Sequence, residues 1–188
     1  MSVTAGTGYA VSADVINNEQ NQNVISHFSR TVSTLPLTAS SPSYASGKVV
    51  GGELTFSNAS RVAGTTSSNV IQAAGATGKI EGIKVLIKNS TPTDFQLILY
   101  TSPLSTTPTD NSTPVITTND ALHLIGSVSI PLSSFANIED MYVANIIPNL
   151  IPYITESSPN LYGYIVTNGS FTPISPSTMV VSLVFNRD

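Results

Sequence analysis

Two histidines, His27 and His123, are the natural candidates for proton transfer at neutral pH. His27 stands in a polar N-terminal stretch, and His123 lies between two leucines in LHLIG, where a lone histidine reads as structural. No nucleophile elbow G-x-S-x-G or HExxH pair occurs. The carboxylates Asp94, Asp110, Asp120, Glu139 and Asp140 fall in or near loops. Asp110 with Asn111, and Asn119 with Asp120, offer hard oxygen ligands of the kind calcium takes. The D-x-[DN]-x-[DN]-G loop is missing, and Asp and Asn are also standard turn residues. Glu139 and Asp140 are adjacent, so on a strand they would face opposite ways and could not share a glycosidic bond. GATGKI at 75–80 lacks the first glycine and the Ser/Thr of a phosphate loop. The tyrosines Tyr100, Tyr153, Tyr162 and Tyr164 could stack on a sugar, although strand tyrosines more often pack half-buried. We therefore expect no catalytic residues, no metal, no cofactor and no enzyme.

The surface that would carry these groups is sparsely charged. Charged residues are 10% of the 188, far below the ordinary quarter, while hydrophobic residues reach 40%. Ser, Thr and Asn must cover the outside, and such a surface is weakly repelled by neighbours, which suits a protein packed against other protein. Net charge is −4, and Lys79, Lys84 and Lys88 are the nearest approach to a basic patch. Lys79 would face away from the other two on a strand, so nucleic acid is not an expected partner. Cysteine is absent, which fits synthesis in a reducing cytosol. MSVTAGTGYAVSAD lacks the basic and apolar regions of a signal peptide, and no apolar run reaches 18 residues, so no membrane association is expected.

Residues 1–46 read as an extended arm that orders against something else, or as an ordinary disordered leader. Within it, VINNEQNQNVISHFSR could form a short helix, and TVSTLPLTASSPSYASG shows no periodicity. From residue 47 to 188 the alternation is β. KIEGIKVLIKNS puts Ile83, Val85 and Ile87 on one face, and DFQLILYT does the same with Phe95, Leu97 and Leu99. With NSTPT between them, the two read as a hairpin. A long Pro/Thr/Asp loop follows, then LHLIGSVSI closed by Pro131, a short strand within MYVANIIPNLIPY, LYGYIVT, and STMVVSLVF with Met179, Val181, Leu183 and Phe185 inward. Seven or eight strands broken by Pro and Gly give an all-β antiparallel sandwich, jelly-roll-like, with an N-terminal arm.

One strand breaks the rule. In GKVVGGELTF, Val50, Leu54 and Phe56 share a side, yet Gly51 and Gly52 sit between them. Glycines there mark a bulge, a bend or the close approach of another backbone.

The ordered series VVGGELTFSNASRVAG, GATGKIEGIKVLIKN, DFQLILYTSP, TDN, HLIGSVSI and NLYGYIVTNGSFTPISPSTMVVSLVF, over residues 47–185, resembles a family of small tailed-bacteriophage virion proteins. Members with an assigned role look like capsid cement, or decoration, proteins. The resemblance implies a β-sandwich homotrimer bound outside an icosahedral head near local threefold positions. It implies a major capsid protein as partner, and a place on the virion after synthesis in the bacterial cytoplasm. In that setting Gly51 and Gly52 would bend a strand shared with a neighbouring chain, or form a purely internal bulge. Arg61, alone in a small-residue loop, would pair with a carboxylate across subunits, or remain an unpartnered surface charge. The rival expectations are a carbohydrate- or receptor-binding module of a virion, and another head or tail subunit.

Overall fold

A computed structural model describes residues 27–37, 43–56, 77–149, 151–154, 158, 160–174 and 177–187. Ten strands are present among them: β1 (His27–Leu37), β2 (Val49–Phe56), β3 (Thr77–Lys88), β4 (Phe95–Tyr100), β5 (Leu124–Ile130), β6 (Phe135–Ile138), β7 (Met141–Ile146), β8 (Ile151–Ile154), β9 (Leu161–Thr167) and β10 (Ser177–Arg187). A short helix, α1 (Thr118–Leu122), precedes β5, and a single 3-10 turn (Leu132–Ser134) follows it. No helix among the described residues is long and apolar enough to cross a membrane.

The strands form two antiparallel sheets. One runs β1-β10-β3-β7-β6, with β8 also on β3; the other runs β2-β9-β4-β5. With β6 and β8 set aside, successive strands alternate between the sheets, except that β4 and β5 are neighbours in one. That wrapping is a jelly roll.

Alternation decides what fills the middle. Ile83, Val85 and Ile87 of β3 and Met179, Val181, Leu183 and Phe185 of β10 are buried and project from the first sheet. Leu54, Phe56, Phe95, Leu97, Leu99 and Ile165 meet them from the second, in one continuous core.

Two expectations change here. β3 and β4 are not a hairpin: β3 pairs with β10, β7 and β8, and β4 pairs with β5 and β9. Their apolar faces are each other's partner across the sandwich, so residues 89–94 carry the chain from one sheet to the other. The stretch before residue 46 also contains a strand. β1 pairs with β10 over its whole length, from His27↔Arg187 to Leu37↔Ser177, and Tyr44 bridges to Phe171. Within the expected arm, residues 27–37 are strand, and HFSR, expected as part of a helix, belongs to it. Residues 1–26 and 38–42, the rest of the expected arm and helix, lie outside the described residues.

Candidate functional site

The feature that departs most from a plain jelly roll is the connection from β4 to β5. Residues 101–123 include Pro103, Pro108 and Pro114, which deny the segment a regular hydrogen-bond ladder. It folds back over the outer face of the second sheet. Leu104 packs there with Val49, Tyr100, Tyr164 and Val166 as a second, smaller core. Tyr100 and Tyr164 stack with ring centroids 6.0 Å apart and hydroxyls 3.4 Å apart. Burial, then the neighbouring Tyr100 hydroxyl, pushes the Tyr164 hydroxyl well above its ordinary range.

Asp110 fastens this cover to β2. One carboxylate oxygen accepts from the Tyr44 hydroxyl at 2.7 Å and from the Gly51 N–H at 2.7 Å. Beside it, the Val49 N–H donates to the Ser112 carbonyl and the Asn111 N–H donates to the Val49 carbonyl. Asn111 turns with φ 57°, which its side chain tolerates better than most. These bonds occupy main-chain groups at the free edge of β2, where unpaired groups would invite another strand.

The two glycines make the fit. The β2–β9 register jumps from Val50↔Ile165 to Glu53↔Tyr164, so Gly51 and Gly52 are two extra residues in β2. Two rather than one keeps the alternation, and Val50 and Leu54 both stay in the core. Gly51 (φ 72°) lies against Leu35, while buried Gly52 (φ 98°) lies under the Pro108 carbonyl.

Asp120 fastens the other end of the cover. It is 2% exposed. It accepts from the Ser105 hydroxyl and N–H and from the Thr117 N–H and hydroxyl, while the Thr117 hydroxyl caps α1 by accepting from the Asp120 N–H. The same contacts, the Ser105 hydroxyl foremost, hold its carboxyl well below the usual range. This is a capping box extended by a third residue.

Glu53, the first residue after the bulge, has the opposite environment. One carboxylate oxygen is buried without a hydrogen-bond partner. Burial raises its pKa from the ordinary 4.5, opposed by a hydrogen bond with the Leu104 backbone. A raised carboxyl pKa favours the fold fully below 4.5, and this contribution is lost as pH rises through the folded value. Glu53→Gln should therefore melt higher than the parent at pH 7. The gain should be under about 1 kcal/mol because the group is partly solvated, and it should vanish below pH 4 (~0.5 units under the ordinary value). Thermal melts at the two pH values check this; an equal shift at both would remove the titration as cause.

The expected chemical groups are dispersed. Asp110 and Asp120 have oxygens engaged by N–H and O–H donors, so their first business is holding the cover. Among the described residues no group of three or more His, Asp or Glu side chains is placed to hold a metal. His123 caps the C-terminal end of α1. Of the four tyrosines considered for a sugar platform, Tyr100 and Tyr164 are buried, and Tyr153 packs edge-on against Phe185. Tyr162 is half-buried with its hydroxyl on Ser158. They do not make an exposed platform. Arg61 lies outside the described residues.

Strand order and pairing define the class of protein: a two-sheet antiparallel jelly roll with its β4–β5 connection tied across one face. The chain matches no protein-family model and no curated protein. Among solved structures, it is similar to one titled as a marine algae virus of the order Picornavirales, at 13% identity over 87% of this chain and 69% of the other, with a TM-score of 0.33. It is also similar to a Tomato Aspermy Virus structure, at 7% identity over 94% of each chain and a TM-score of 0.33. A third is Israeli acute paralysis virus, at 10% identity over 88% and 73% of the two chains and a TM-score of 0.31.

Proposed function

We propose that the chain is a structural virion protein: a capsid cement protein that binds the outside of an icosahedral phage head as a homotrimer and holds capsomers together. The observation that carries the reading is apolar exposure on a weakly charged jelly roll. Leu132, Ile138 and Ile174 are 48%, 54% and 61% exposed. All three stand at one end of the sandwich, around residues 89–94. The Leu132 N–H donates to Asp94, the Ile174 N–H to Ser90, and the Asn89 N–H to the Asp140 carbonyl beside Ile138. Exposed Lys88, Asp94, Glu139 and Asp140 rim these apolar side chains, and an apolar patch with a polar rim is the form a protein-binding surface takes.

The mechanism is mechanical. A subunit seated across a capsomer boundary adds buried area there, and three seats in one trimer raise effective concentration. Ile138→Asp and Ile174→Asp should each fold normally and lower shell occupancy severalfold; full occupancy by both would remove this end as the contact. Light scattering of the purified chain tests the trimer: a mass three times 19.7 kDa is expected. A monomeric mass that persists at high concentration counts against it, and binding on a glycan array would then favour the receptor-binding reading. Arg61 enters as the residue that pairs with a carboxylate across the trimer, and unchanged trimer stability in Arg61→Ala would remove it. Gly51 and Gly52 enter through the shape of the bulge, which fixes how β2 and its cover present themselves to a neighbour.

A further inference from the structure

Asn168 and Gly169 lead the chain out of β9 at the end that carries Leu132 and Ile174. Theirs is the one Asn-Gly pair in the sequence; every other asparagine is followed by a residue with a side chain. Asn168 is exposed. Its N–H donates to the Asp94 carbonyl at 2.8 Å, and Phe171, further on, is bonded both ways to Tyr44. Between those ties, no described residue takes a hydrogen bond from the Gly169 N–H or engages the Asn168 side-chain amide. Other asparagines precede an occupied nitrogen: the Ser112 N–H donates to the Thr109 carbonyl, and the Asp120 N–H to the Thr117 hydroxyl. The surroundings also call for glycine here. Thr93 Oγ1 lies 2.5 Å from where a Cβ on Gly169 would stand, so a side chain at that position must displace Thr93.

We propose that Asn168-Gly169 is a self-modification site, at which the Asn168 amide is lost through a succinimide closed by the Gly169 nitrogen. The Gly169 nitrogen gives up its proton and bonds to the Asn168 Cγ. The bond from Cγ to the side-chain nitrogen breaks, and ammonia leaves with that proton. Water then opens the ring. Addition at the side-chain carbonyl restores the peptide and leaves an aspartate; addition at the main-chain carbonyl leaves an isoaspartate, with the chain running through Cβ. Water is the only co-reactant, and no electrons are transferred. Proximity makes the attack intramolecular, and a glycine puts no Cβ in its way and leaves the backbone free to turn. Either product adds a carboxylate beside Asp94, whose side chain already takes the Leu132 N–H. The rim of the apolar end, with Asp94, Glu139 and Asp140 exposed, becomes more acidic. Ageing should therefore weaken docking at that end. This consequence rests on the cement reading; the chemistry at Asn168 does not.

Peptide mapping by mass spectrometry tests the chemistry on the full chain, aged at 37 °C and mildly alkaline pH. The peptide holding Asn168 should gain the mass of amide-to-acid exchange roughly tenfold faster than any peptide holding another asparagine, since only Asn168 precedes an unhindered nitrogen. Isoaspartate should outnumber aspartate in the product. The native chain should react as fast as the chain unfolded in urea, to within severalfold, because nothing in the fold occupies either group. Conversion no faster than at the other asparagines overturns the proposal. So does a product of aspartate alone, which is direct hydrolysis without Gly169, and so does strong protection in the native chain. Asn168→Gln should abolish the mass gain at this peptide with an unchanged melting temperature. The consequence is read separately, on shells: Asn168→Asp should lower occupancy severalfold while Asn168→Gln matches the parent. Full occupancy by Asn168→Asp overturns the effect on docking. Absence of shell binding by the parent would sink the cement reading instead, and the peptide map would still decide the chemistry.

Discussion

Gly51→Ala is expected to destabilise the fold by about 2–5 kcal/mol. Two costs combine. A Cβ in the left-handed region costs about 1–2 kcal/mol, and φ at Gly51 is 72°. That Cβ would also stand 2.8 Å from the Leu35 Cβ and 3.2 Å from both Leu35 methyls. Leu35 is 3% exposed and belongs to the main core, so it has no free direction in which to yield. Forcing a methyl into such a site costs about 1–3 kcal/mol. For a chain of this size the melting temperature should fall by roughly 4–20 °C. Gly47→Ala separates the two costs. Gly47 has φ 83° but nothing within 4 Å of an added Cβ, so it bears only the backbone penalty, about 1–2 kcal/mol. Equal unfolding free energies for the two variants in urea would show that contact with Leu35 does not decide the choice of glycine.

The glycine pair was legible because it broke a pattern that otherwise held. Wherever one face of a strand meets the core, period-two alternation names the buried residues, as in β3, β4 and β10. What alternation cannot name is the partner. Ile83-Val85-Ile87 and Phe95-Leu97-Leu99 look like hairpin neighbours because a short polar turn joins them, yet an inter-sheet crossing of the same length satisfies the same two faces. The 101–123 cover was illegible for a different reason. Its anchors, Asp110, Ser112 and Asp120, are turn residues by type, and only long-range partners such as Tyr44, Gly51 and Val49 reveal what they hold. One signal was available: β9 carries Tyr164 and Val166 on its outward face as well as Gly163 and Ile165 inward, and a strand apolar on both faces is covered on both. β1 was missed because HFSRTVSTLPL alternates weakly and contains Pro36, which an edge strand admits and a central one does not.

Phe171→Ala should cost about 3–5 kcal/mol, although Phe171 belongs to no strand. It is 1% exposed and closes the end of the sandwich that carries Leu132 and Ile174. Its ring meets Phe95 edge-on at 5.3 Å and stacks on Tyr44 at 5.8 Å, and its main chain exchanges two hydrogen bonds with Tyr44. Truncation leaves a void between Phe95, fixed in β4, and Tyr44, held by its main-chain and hydroxyl hydrogen bonds, so the site can collapse only partly. The loss should also spread. Tyr44 gives its hydroxyl to Asp110, and the same Asp110 oxygen takes the Gly51 N–H. Removing the ring beneath Tyr44 therefore loosens the clamp on the bulge, and Phe171→Ala combined with Asp110→Ala should cost less than the two single changes added together. Strict additivity in a double-mutant cycle would show that the plug and the clamp act separately. Ile174→Ala, three residues away and 61% exposed, should stay within about 0.5 kcal/mol of the parent. The contrast matters for function. If the apolar residues of this end act on a partner, Ile174→Asp should weaken binding while leaving stability alone. Phe171→Ala should weaken both, because the surface that Leu132, Ile138 and Ile174 form is only as fixed as the aromatic plug beneath it.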